Sequence, residues 1–450
     1  MKNPKVRTDL RCRKYGDSWM AFYYRRGKNQ EIRRELTILE LNELGYFILN
    51  LCQGQMSKNH IIDAVCESYE GDRKEVEVDT LSFLSELDYL GILGSFDDEP
   101  KINETRSKDG PWAKLHEEAW SQYFPLFCTI ETTLLCNLKC VHCYNFDRSE
   151  SPKKELYQTL SWDVLEPLLY DLYTAGTLQV SFSGGEALLY PDLERAIRIT
   201  TDLGMFARVK SNGVLLNENK IDQLIRAGAV GVDISLYGSS SKNHDSFTRK
   251  TGSFEASWNN VLLCKEMGLE PEVSVMVTRH NAYEIDEMLD LFKKNNISCQ
   301  VSMDMTGRYD GTDSSLDDRV TSEQFKRLLR GPHRGLFDVR REVHEVQCAC
   351  ARTNCGISAN GDVYPCIGAP IPAGNLKENS FLDIWNHSPV LKNIRALKYQ
   401  DFSSCFGCKD AEFCERSSGS VYVNTGDYTG ADPNLCKEAR MRHDYSRGFD

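Results

Sequence analysis

Apolar runs and helical repeats alternate along the middle of the chain. Between residues 124 and 303, six short runs rich in β-branched and aromatic residues are separated by stretches with apolar positions every three to four residues. Strands that alternate with helices over short links predict β/α units and a parallel sheet, closed or partly closed like a barrel. The predicted strands are 127–132, 179–183, 207–211, 231–236, 272–277 and 298–303, and the predicted helices are 162–174, 192–202, 217–227, 253–267 and 283–295.

The two ends of the chain follow other patterns. Near the start, a strand-like run at 18–24 is followed by helical periodicity at 38–51, 58–69 and 78–90, which predicts a small α/β unit. Beyond about residue 340 the alternation stops, and a Cys-, Gly- and Pro-rich segment follows that bound metal would stabilise. The predicted division is an N-terminal α/β domain at 1–96, a linker at 97–122, a partial (β/α)6 barrel at 123–335 and a cysteine-rich domain at 336–450.

Composition and charge narrow the class of protein. The chain is 41% hydrophobic and 27% charged, as globular proteins are, with no apolar run near 18 residues and a basic, polar start. Neither a membrane span nor a secretory signal is therefore expected, and the expected location is the cytoplasm. The net charge of −12 argues against a general nucleic-acid binder, although residues 1–34 carry 11 Lys and Arg against three acidic residues. This end of the chain would attract an acidic partner.

The 17 cysteines indicate metal. Twelve of them fall in two clumps, at 128–143 and 348–436. A reducing compartment disfavours disulfides, so clumped cysteines point to metal ligands. The scattered ones are expected to be small core residues: Cys12, Cys52, Cys66, Cys264 and Cys299.

The first clump contains a closely spaced triplet. Cys136, Cys140 and Cys143 follow the first predicted barrel strand, where barrel enzymes place their chemistry. Three thiolates can hold three irons of a 4Fe–4S cube and leave one iron without a protein ligand, whereas structural zinc takes four protein ligands. The spacing therefore favours a cluster with one open iron.

This triplet, followed by Tyr144, resembles the signature loop of radical S-adenosylmethionine (SAM) enzymes, and residues 181–186 resemble the GGE motif of the same family. The resemblance implies that the open iron binds the amino and carboxylate groups of SAM, and that SAM is cleaved to a 5′-deoxyadenosyl radical that abstracts hydrogen from a substrate. A carboxylate at Glu186 can pair with the methionyl ammonium. The implied SAM contacts are Tyr144, Gly184, Gly185, Glu186, Ser211, Asn212, Ser235 and Arg249, and no side chain is predicted as the acid or base.

The second clump resembles the SPASM extension of peptide-modifying radical SAM proteins. That extension implies two auxiliary 4Fe–4S clusters, and thus three clusters in all. The cysteine expected after Cys414 and three intervening residues is replaced by Ser418, while Cys350 and Cys355 are additional. Cys348, Cys355 and Cys366 could hold three irons of the first auxiliary cluster and leave the fourth open, or Cys350 could complete the set. Zinc on the last four cysteines is the alternative to a second cluster. The predicted ligands are Cys348, Cys350, Cys355, Cys366, Cys405, Cys408, Cys414 and Cys436.

Residues 35–95 resemble the winged-helix-like peptide-recognition domain named after PqqD, the peptide chaperone of pyrroloquinoline quinone biosynthesis. Such domains bind a leader peptide as an added strand at a sheet edge beside a helix. The basic residues Arg25, Arg26, Arg33 and Arg34 would attract an acidic leader. Winged-helix units also bind DNA, but the acidic chain and the attached enzyme domain disfavour that alternative.

Together these features predict a cytoplasmic maturase of a ribosomally made peptide. It is expected to form thioether bonds from cysteine sulfur to carbon, as sactipeptide and ranthipeptide synthases do. Its partners would be a cysteine-containing precursor with a leader sequence and an electron donor such as flavodoxin or ferredoxin. The alternatives are C–C crosslinking, epimerisation or side-chain oxidation on the same scaffold, and a metal-stabilised peptide- or DNA-binding regulator without enzymatic activity.

Overall fold

A computed structural model of the chain describes residues 3–7, 10–26, 34–93, 110–148, 156–342 and 348–448. The chain divides into two compact units, residues 1–121 and 122–450. No helix in the described ranges is long and apolar enough to cross a membrane.

The first unit is a three-stranded antiparallel sheet with helices. Its sheet has the order β1-β2-β3, so β3 lies at an edge of the described sheet. Tyr23, Ile48, Leu84 and Leu87 are buried in its core. The elements are β1 Arg11–Tyr15, β2 Ser18–Arg26, β3 Arg34–Leu41, α1 Glu43–Leu51, α2 Lys58–Ser68, α3 Arg73–Tyr89 and α4 Pro111–Gln122.

The prediction of a helix at 38–51 is wrong for its first residues. Residues 38–41 belong to β3, where Ile38 pairs with Phe22 and Leu41 with Trp19 of β2. The helix begins only after Asn42, whose side chain accepts a hydrogen bond from the Gly45 backbone N–H. Pairing with β2, which no local pattern shows, thus overrides the helical spacing of the apolar residues.

The second unit is built on an eight-stranded sheet in the order β11-β10-β4-β5-β6-β7-β8-β9. Strands β4 to β9 are parallel, β10 pairs parallel with β4, and β11 is antiparallel to β10. The described sheet does not close, so the predicted partial barrel is confirmed. The strands are β4 Phe127–Thr133, β5 Gln179–Gly184, β6 Phe206–Ser211, β7 Gly231–Ser235, β8 Pro271–Met276, β9 Ser298–Ser302, β10 Asn354–Ile357 and β11 Val363–Tyr364.

The barrel helices match their predictions to within two residues. Residues 241–248, which lie outside the predicted helices, form α8. The described residues of the Cys-, Gly- and Pro-rich segment contain four helices, and two strands that extend the barrel sheet. The helices are α5 Trp162–Thr174, α6 Leu193–Asp202, α7 Glu218–Ala227, α8 Ser241–Thr248, α9 Ser253–Met267, α10 Ile285–Lys294, α11 Ser322–Arg330, α12 Phe381–His387, α13 Pro389–Ala396, α14 Ser418–Thr425 and α15 Pro433–Ser446.

Alternation along the barrel strands gives the sheet two different faces. In β5, Val180 and Phe182 are fully buried, whereas Ser181 and Ser183 occupy the alternate positions. The same alternation places Arg208 and Lys210 in β6, and Asp233 and Ser235 in β7, on the face opposite the apolar residues. One face therefore packs under helices, while the other is polar and available for chemistry.

Candidate active site

A cavity of about 400 Å³ lies at the C-terminal ends of the barrel strands. The cysteine triplet forms one wall, and polar residues of β5 to β8 form another. This cavity unites nine of the residues predicted for SAM and its cluster: Cys136, Cys140, Cys143, Tyr144, Gly184, Gly185, Ser211, Asn212 and Ser235.

The cysteine loop is fixed by contacts with α8 and with Arg148. The Lys139 and Val141 backbone N–H groups donate to the carbonyls of Thr248 and Phe247, at 3.1 Å each. Arg148 Nε donates to Cys143 Sγ at 3.2 Å, and its Nη2 donates to the Leu134 carbonyl at 3.0 Å. A guanidinium can hold a metal-bound sulfur by a charge-assisted hydrogen bond, so Arg148 is suited to orient Cys143 as a ligand.

The thiols of the triplet have the chemistry that an iron–sulfur cluster requires. Burial raises the pKa of Cys136 to about 11, so this thiol is protonated at neutral pH until a metal displaces the proton. In the described part of the chain, no three His, Cys, Asp or Glu side chains converge closely enough for a single metal ion. Three separated thiols around one cavity fit a cluster, which carries several metal ions, and the triplet is therefore suited to that group.

Gly184 and Gly185 allow the end of β5 to pack against the start of the cysteine loop. A Cβ on Gly185 would lie 2.4 Å from the Leu135 carbonyl oxygen, and one on Gly184 only 2.1 Å from the Thr133 carbonyl oxygen. Gly184 also has φ +129°, a conformation that side chains rarely adopt. The Gly185 N–H donates to the Thr133 carbonyl at 2.7 Å. The glycine pair thus sets the position of the loop as well as the shape of the cavity.

Glu186 lies behind the cavity wall. Its side chain is 1% exposed, and its carboxylate accepts hydrogen bonds from Ser211 Oγ and the Asn212 N–H, at 2.8 Å each, and from the Leu188 N–H at 3.0 Å. In this structure Glu186 therefore joins the end of β5 to the end of β6. Its contact with the SAM ammonium stays a prediction.

Two further residues predicted to contact SAM, Arg249 and Tyr144, differ in their position relative to the cavity. Arg249 is exposed just after α8 and is not among the residues lining the cavity. Tyr144 lines the cavity, and its hydroxyl donates to Glu131 at 2.8 Å. Burial raises the pKa of Glu131 to about 7, although the Tyr144 hydrogen bond acts in the opposite direction.

Sequence reasoning missed an ionic group on the polar face of β6 and β7. Arg208 Nε donates to Asp233 Oδ1, and Lys210 Nζ contacts Asp233 Oδ2, both at 3.0 Å. Lys210 and Asp233 line the cavity. Burial acts to raise the pKa of Asp233, but Arg208 and Lys210 outweigh it and hold that pKa below the ordinary value of 3.8. The signal was present as charged residues alternating with apolar ones inside predicted strands.

A second group of cysteines lies beside β4. Cys350 Sγ is 3.0 Å from Cys366 Sγ, and Cys348 Sγ is 3.4 Å from the Tyr428 hydroxyl. Cys348 also interacts with Cys350 and with the hydroxyl of Ser418, which stands where the SPASM pattern has cysteine. Cys355, by contrast, lies in β10 opposite Cys128 of β4, and the two thiols are hydrogen-bonded.

The third group surrounds a separate cavity of about 240 Å³. The four remaining predicted ligands line it together with several arginines, including Arg416 and Arg440. A zinc ion would need these four thiols to converge on one point. In the described ranges, no three His, Cys, Asp or Glu side chains converge in this way. The four are Cys405, Cys408, Cys414 and Cys436.

The structure leaves the predicted leader contacts untested. Arg33 lies outside the described residues. Arg25, Arg26 and Arg34 lie in β2 and β3, but their side chains are outside the described part of the chain.

Three regions match known protein families. Residues 130–294 match the Radical SAM superfamily, residues 348–409 match SPASM, an iron–sulfur cluster-binding domain, and residues 33–93 match coenzyme PQQ synthesis protein D (PqqD). The family matches thus imply SAM and iron–sulfur clusters as cofactors.

Individual proteins of similar sequence cover about 70% of this chain. An AdoMet-dependent heme synthase of Methanosarcina barkeri is 26% identical over 69% of this chain and 95% of its own. The mycofactocin maturase MftC of Mycobacterium tuberculosis is 26% identical over 72% of this chain and 89% of its own.

Solved structures share the fold at lower identity. Streptococcus suis SuiB bound to its precursor peptide SuiA is 19% identical, with a TM-score of 0.57, over 96% of this chain and 100% of that one. The anSMEcpe structure with bound AdoMet is 16% identical, with a TM-score of 0.55, over 72% of this chain and 97% of its own. The chain thus contains a Radical SAM domain, a SPASM domain and a PqqD domain, in the residues that each family model matches.

Proposed function

We propose that this protein is a cytoplasmic maturase that binds the leader of a ribosomally made precursor peptide and forms thioether bonds from cysteine sulfur to carbon. The observation that carries the proposal is the cavity in which the cysteine triplet meets the glycine pair and the polar strand ends. The PqqD match supports a peptide substrate, and SuiB, a protein of the same fold, has been solved with a precursor peptide.

In this proposal Cys136, Cys140 and Cys143 hold the SAM-binding 4Fe–4S cluster. When bound, that group supplies reductive cleavage of SAM to a 5′-deoxyadenosyl radical. Arg148 holds the Cys143 sulfur by a hydrogen bond, and the glycine pair lets the cysteine loop pack against the end of β5. Ser211, Asn212 and Ser235 offer hydrogen-bonding groups on the opposite wall.

The polar wall of β6 and β7 orients the substrate. Lys210 and Asp233 reach the cavity as a paired cation and carboxylate, which peptide amides and charged side chains can contact without leaving either group unpaired. Such fixed positioning is how a protein directs a reactive cofactor to one hydrogen atom.

Formation of one thioether balances without an external oxidant. One SAM, one peptide C–H and one cysteine thiol give methionine, 5′-deoxyadenosine, the C–S bond and one released proton. We place the substrate sulfur beside Cys348, Cys350 and Cys366, because Ser418 replaces the fourth cysteine there and leaves a position for another thiolate. In this proposal the other auxiliary cluster is held by Cys405, Cys408, Cys414 and Cys436.

In this proposal the first unit binds the leader peptide. Strand β3 is an edge of its described sheet, and α3 carries Val78 and Leu81, which are 66% and 38% exposed. A leader added beside β3 would gain backbone hydrogen bonds and cover such apolar side chains. Tethering the leader also makes core delivery intramolecular, at an effective concentration up to the millimolar range for short flexible linkers.

The test is anaerobic reconstitution followed by reaction with SAM, a strong reductant and the precursor. We expect 5′-deoxyadenosine and a peptide lighter by two hydrogens per bond, while Cys136→Ala should give neither. Absence of SAM cleavage in the wild type would contradict the proposal.

The named relatives favour keeping a second candidate. Because they include heme synthases and a mycofactocin maturase, the same scaffold supports more than one product. C–C crosslinking, epimerisation or side-chain oxidation is therefore the alternative. C–C crosslinking and epimerisation leave the cysteine thiols of the peptide free, whereas thioether formation consumes them. Alkylation of free thiols therefore distinguishes these two alternatives from thioether formation.

A further inference from the structure

Arg148 is a buried cation that touches one sulfur of the cysteine triplet. Its side chain is 4% exposed, its Nε donates to Cys143 Sγ at 3.2 Å, and its Nη2 donates to the Leu134 carbonyl at 3.0 Å. The guanidinium carbon lies 4.2 Å from the ring centroid of Phe146 and 6.0 Å from that of Tyr157. Sulfur, backbone and aromatic rings together hold the guanidinium in one position.

Carboxylates do not neutralise Arg148 directly. In the described part of the chain its hydrogen bonds go to sulfur and to a backbone carbonyl, and neither Glu131 nor the preceding Asp147 is among its partners. Arg148 acts to lower the pKa of Glu131, but burial outweighs it and raises that pKa to about 7. The Glu131 carboxylate instead accepts a hydrogen bond from the Tyr144 hydroxyl. Since an isolated buried charge is unfavourable, the counter-charge in contact with Arg148 is the sulfur, which is a thiolate once it binds iron.

A second buried arginine holds the same cysteine loop without touching sulfur. Arg308 is 6% exposed, its Nη2 donates to the Val141 carbonyl at 2.9 Å, and its Nη1 donates to Ser314 Oγ at 2.7 Å. The two arginines therefore share a structural task, but Arg148 alone of the two contacts a ligand sulfur. Their comparison separates support of the loop from an effect on the cluster.

A donor on a ligand sulfur favours the reduced state of an iron–sulfur cluster, because the sulfur carries more negative charge after the cluster gains an electron. Hydrogen bonds to the sulfurs and the charge around the cluster are among the factors that set its reduction potential. We propose that Arg148 raises the reduction potential of the SAM-binding cluster through its hydrogen bond to Cys143 Sγ.

The inference rests on the proposed function, because it assumes that the cysteine triplet holds a 4Fe–4S cluster. The step concerned is a one-electron reduction, in which an external one-electron donor is oxidised and the cluster is reduced, with no proton or bond transferred. Arg148 acts on this step through Cys143 and is a positioning residue.

The test is a reductive titration of the full, anaerobically reconstituted chain, followed by electron paramagnetic resonance. Wild type is compared with Arg148→Met and with the matched control Arg308→Met, since methionine removes both the charge and the donors. Spectral change on adding SAM to a separate sample identifies the SAM-binding cluster. Arg148 also lines the cavity, so the titration itself is done without SAM, where an effect on SAM binding cannot shift the potential.

We expect the ratio of reduced to oxidised SAM-binding cluster, at a fixed potential, to fall about tenfold in Arg148→Met, which corresponds to a midpoint lower by about 59 mV. This size is near the lower end of what a hydrogen bond to a charged group contributes. Arg148→Lys keeps the charge but not the planar fork, and its potential should lie between those of Arg148→Met and the wild type.

The control sets the limits of the inference. Arg308→Met should shift the potential less than Arg148→Met does, and signals that do not respond to SAM should keep their potentials in every variant. Equal potentials in wild type and Arg148→Met would overturn the proposal. Equal shifts in the two methionine variants would also overturn it, because loss of any buried charge beside the loop would then suffice.

Iron and sulfide analysis guards against a folding artefact. Should Arg148→Met load less iron, Arg148→Gln replaces it, with a lower potential supporting the inference and an unchanged potential refuting it. A wild type without any SAM-responsive signal would refute the proposed function. A SAM-responsive wild type with an unshifted Arg148 variant would refute the role of Arg148 alone.

Discussion

Replacing Asp233 by asparagine tests the ionic group on the polar wall of the cavity. Asp233 and Arg208 are 8% and 9% exposed, so Arg208 would lose its main counter-charge while buried. Leaving a buried charge unpaired costs about 3–5 kcal/mol. We expect the lower end, about 3 kcal/mol, because Glu272 stays 3.7 Å from Arg208.

The matched control is Asp222→Asn. Asp222 pairs with Arg226 one turn along α7, but those side chains are 42% and 76% exposed. Such surface pairs within a helix contribute about 0.3–0.5 kcal/mol. Calorimetry of the cluster-free protein should show a melting temperature lower by about 5 °C for Asp233→Asn and almost unchanged for Asp222→Asn.

The pH dependence has a defined sign. Because the pKa of Asp233 is lower in the folded protein than its ordinary value of 3.8, its contribution to stability is present above that value. The contribution is lost as the pH falls through the lower folded pKa. The difference in melting temperature between wild type and Asp233→Asn should therefore be largest at neutral pH and decrease below about pH 4. Equal melting temperatures for the two asparagine variants at neutral pH would refute this account of the wall.

Two further predictions concern the cysteine groups, and each compares a substitution with a control. Gly185→Ala should lower the iron content by one cluster, because its Cβ would meet backbone oxygens at 2.4 and 2.6 Å, whereas Gly335→Ala, with open space around its Cβ, should load normally. Iron analysis of the pure proteins decides this, and full loading of Gly185→Ala would contradict the packing argument. Because Cys350 lies 3.0 Å from Cys366 whereas Cys355 is hydrogen-bonded to Cys128, Cys350→Ala should lose the first auxiliary cluster and Cys355→Ala should keep it. Mössbauer spectra that show the reverse would assign the ligand to Cys355 instead.

The barrel was predictable from sequence because its signals are local. Strands such as β5 alternate apolar and polar residues, and the amphipathic α10 repeats its apolar positions, so neither needs information from distant segments. The cysteine triplet and the glycine pair were predictable because their spacing is dictated by chemistry.

The remaining features depend on contacts distant in sequence. Residues 38–41 pair with β2, and β10 joins β4 from more than 200 residues away, which no local pattern reveals. The pairing of Asp233 with Lys210 was missed because the two residues lie on different strands, although both strands show charged residues alternating with apolar ones. The arrangement of Cys348, Cys350 and Cys366 likewise depends on how the chain folds back beside β4.

The pairing of β10 with β4 has a consequence for how the two neighbouring cysteine groups work together. The cysteine triplet follows the end of β4, and Cys348 and Cys350 lie just before β10, so a hydrogen-bonded ladder connects their supports. Tyr309 connects the two regions by two further hydrogen bonds. Its N–H donates to the Tyr144 carbonyl at 2.8 Å, and its hydroxyl donates to the Ile367 carbonyl at 2.5 Å. The distance between the cysteine triplet and Cys348 and Cys350 is thereby fixed by a rigid scaffold rather than by a hinge, as the proposed reaction of a radical with a substrate sulfur would require.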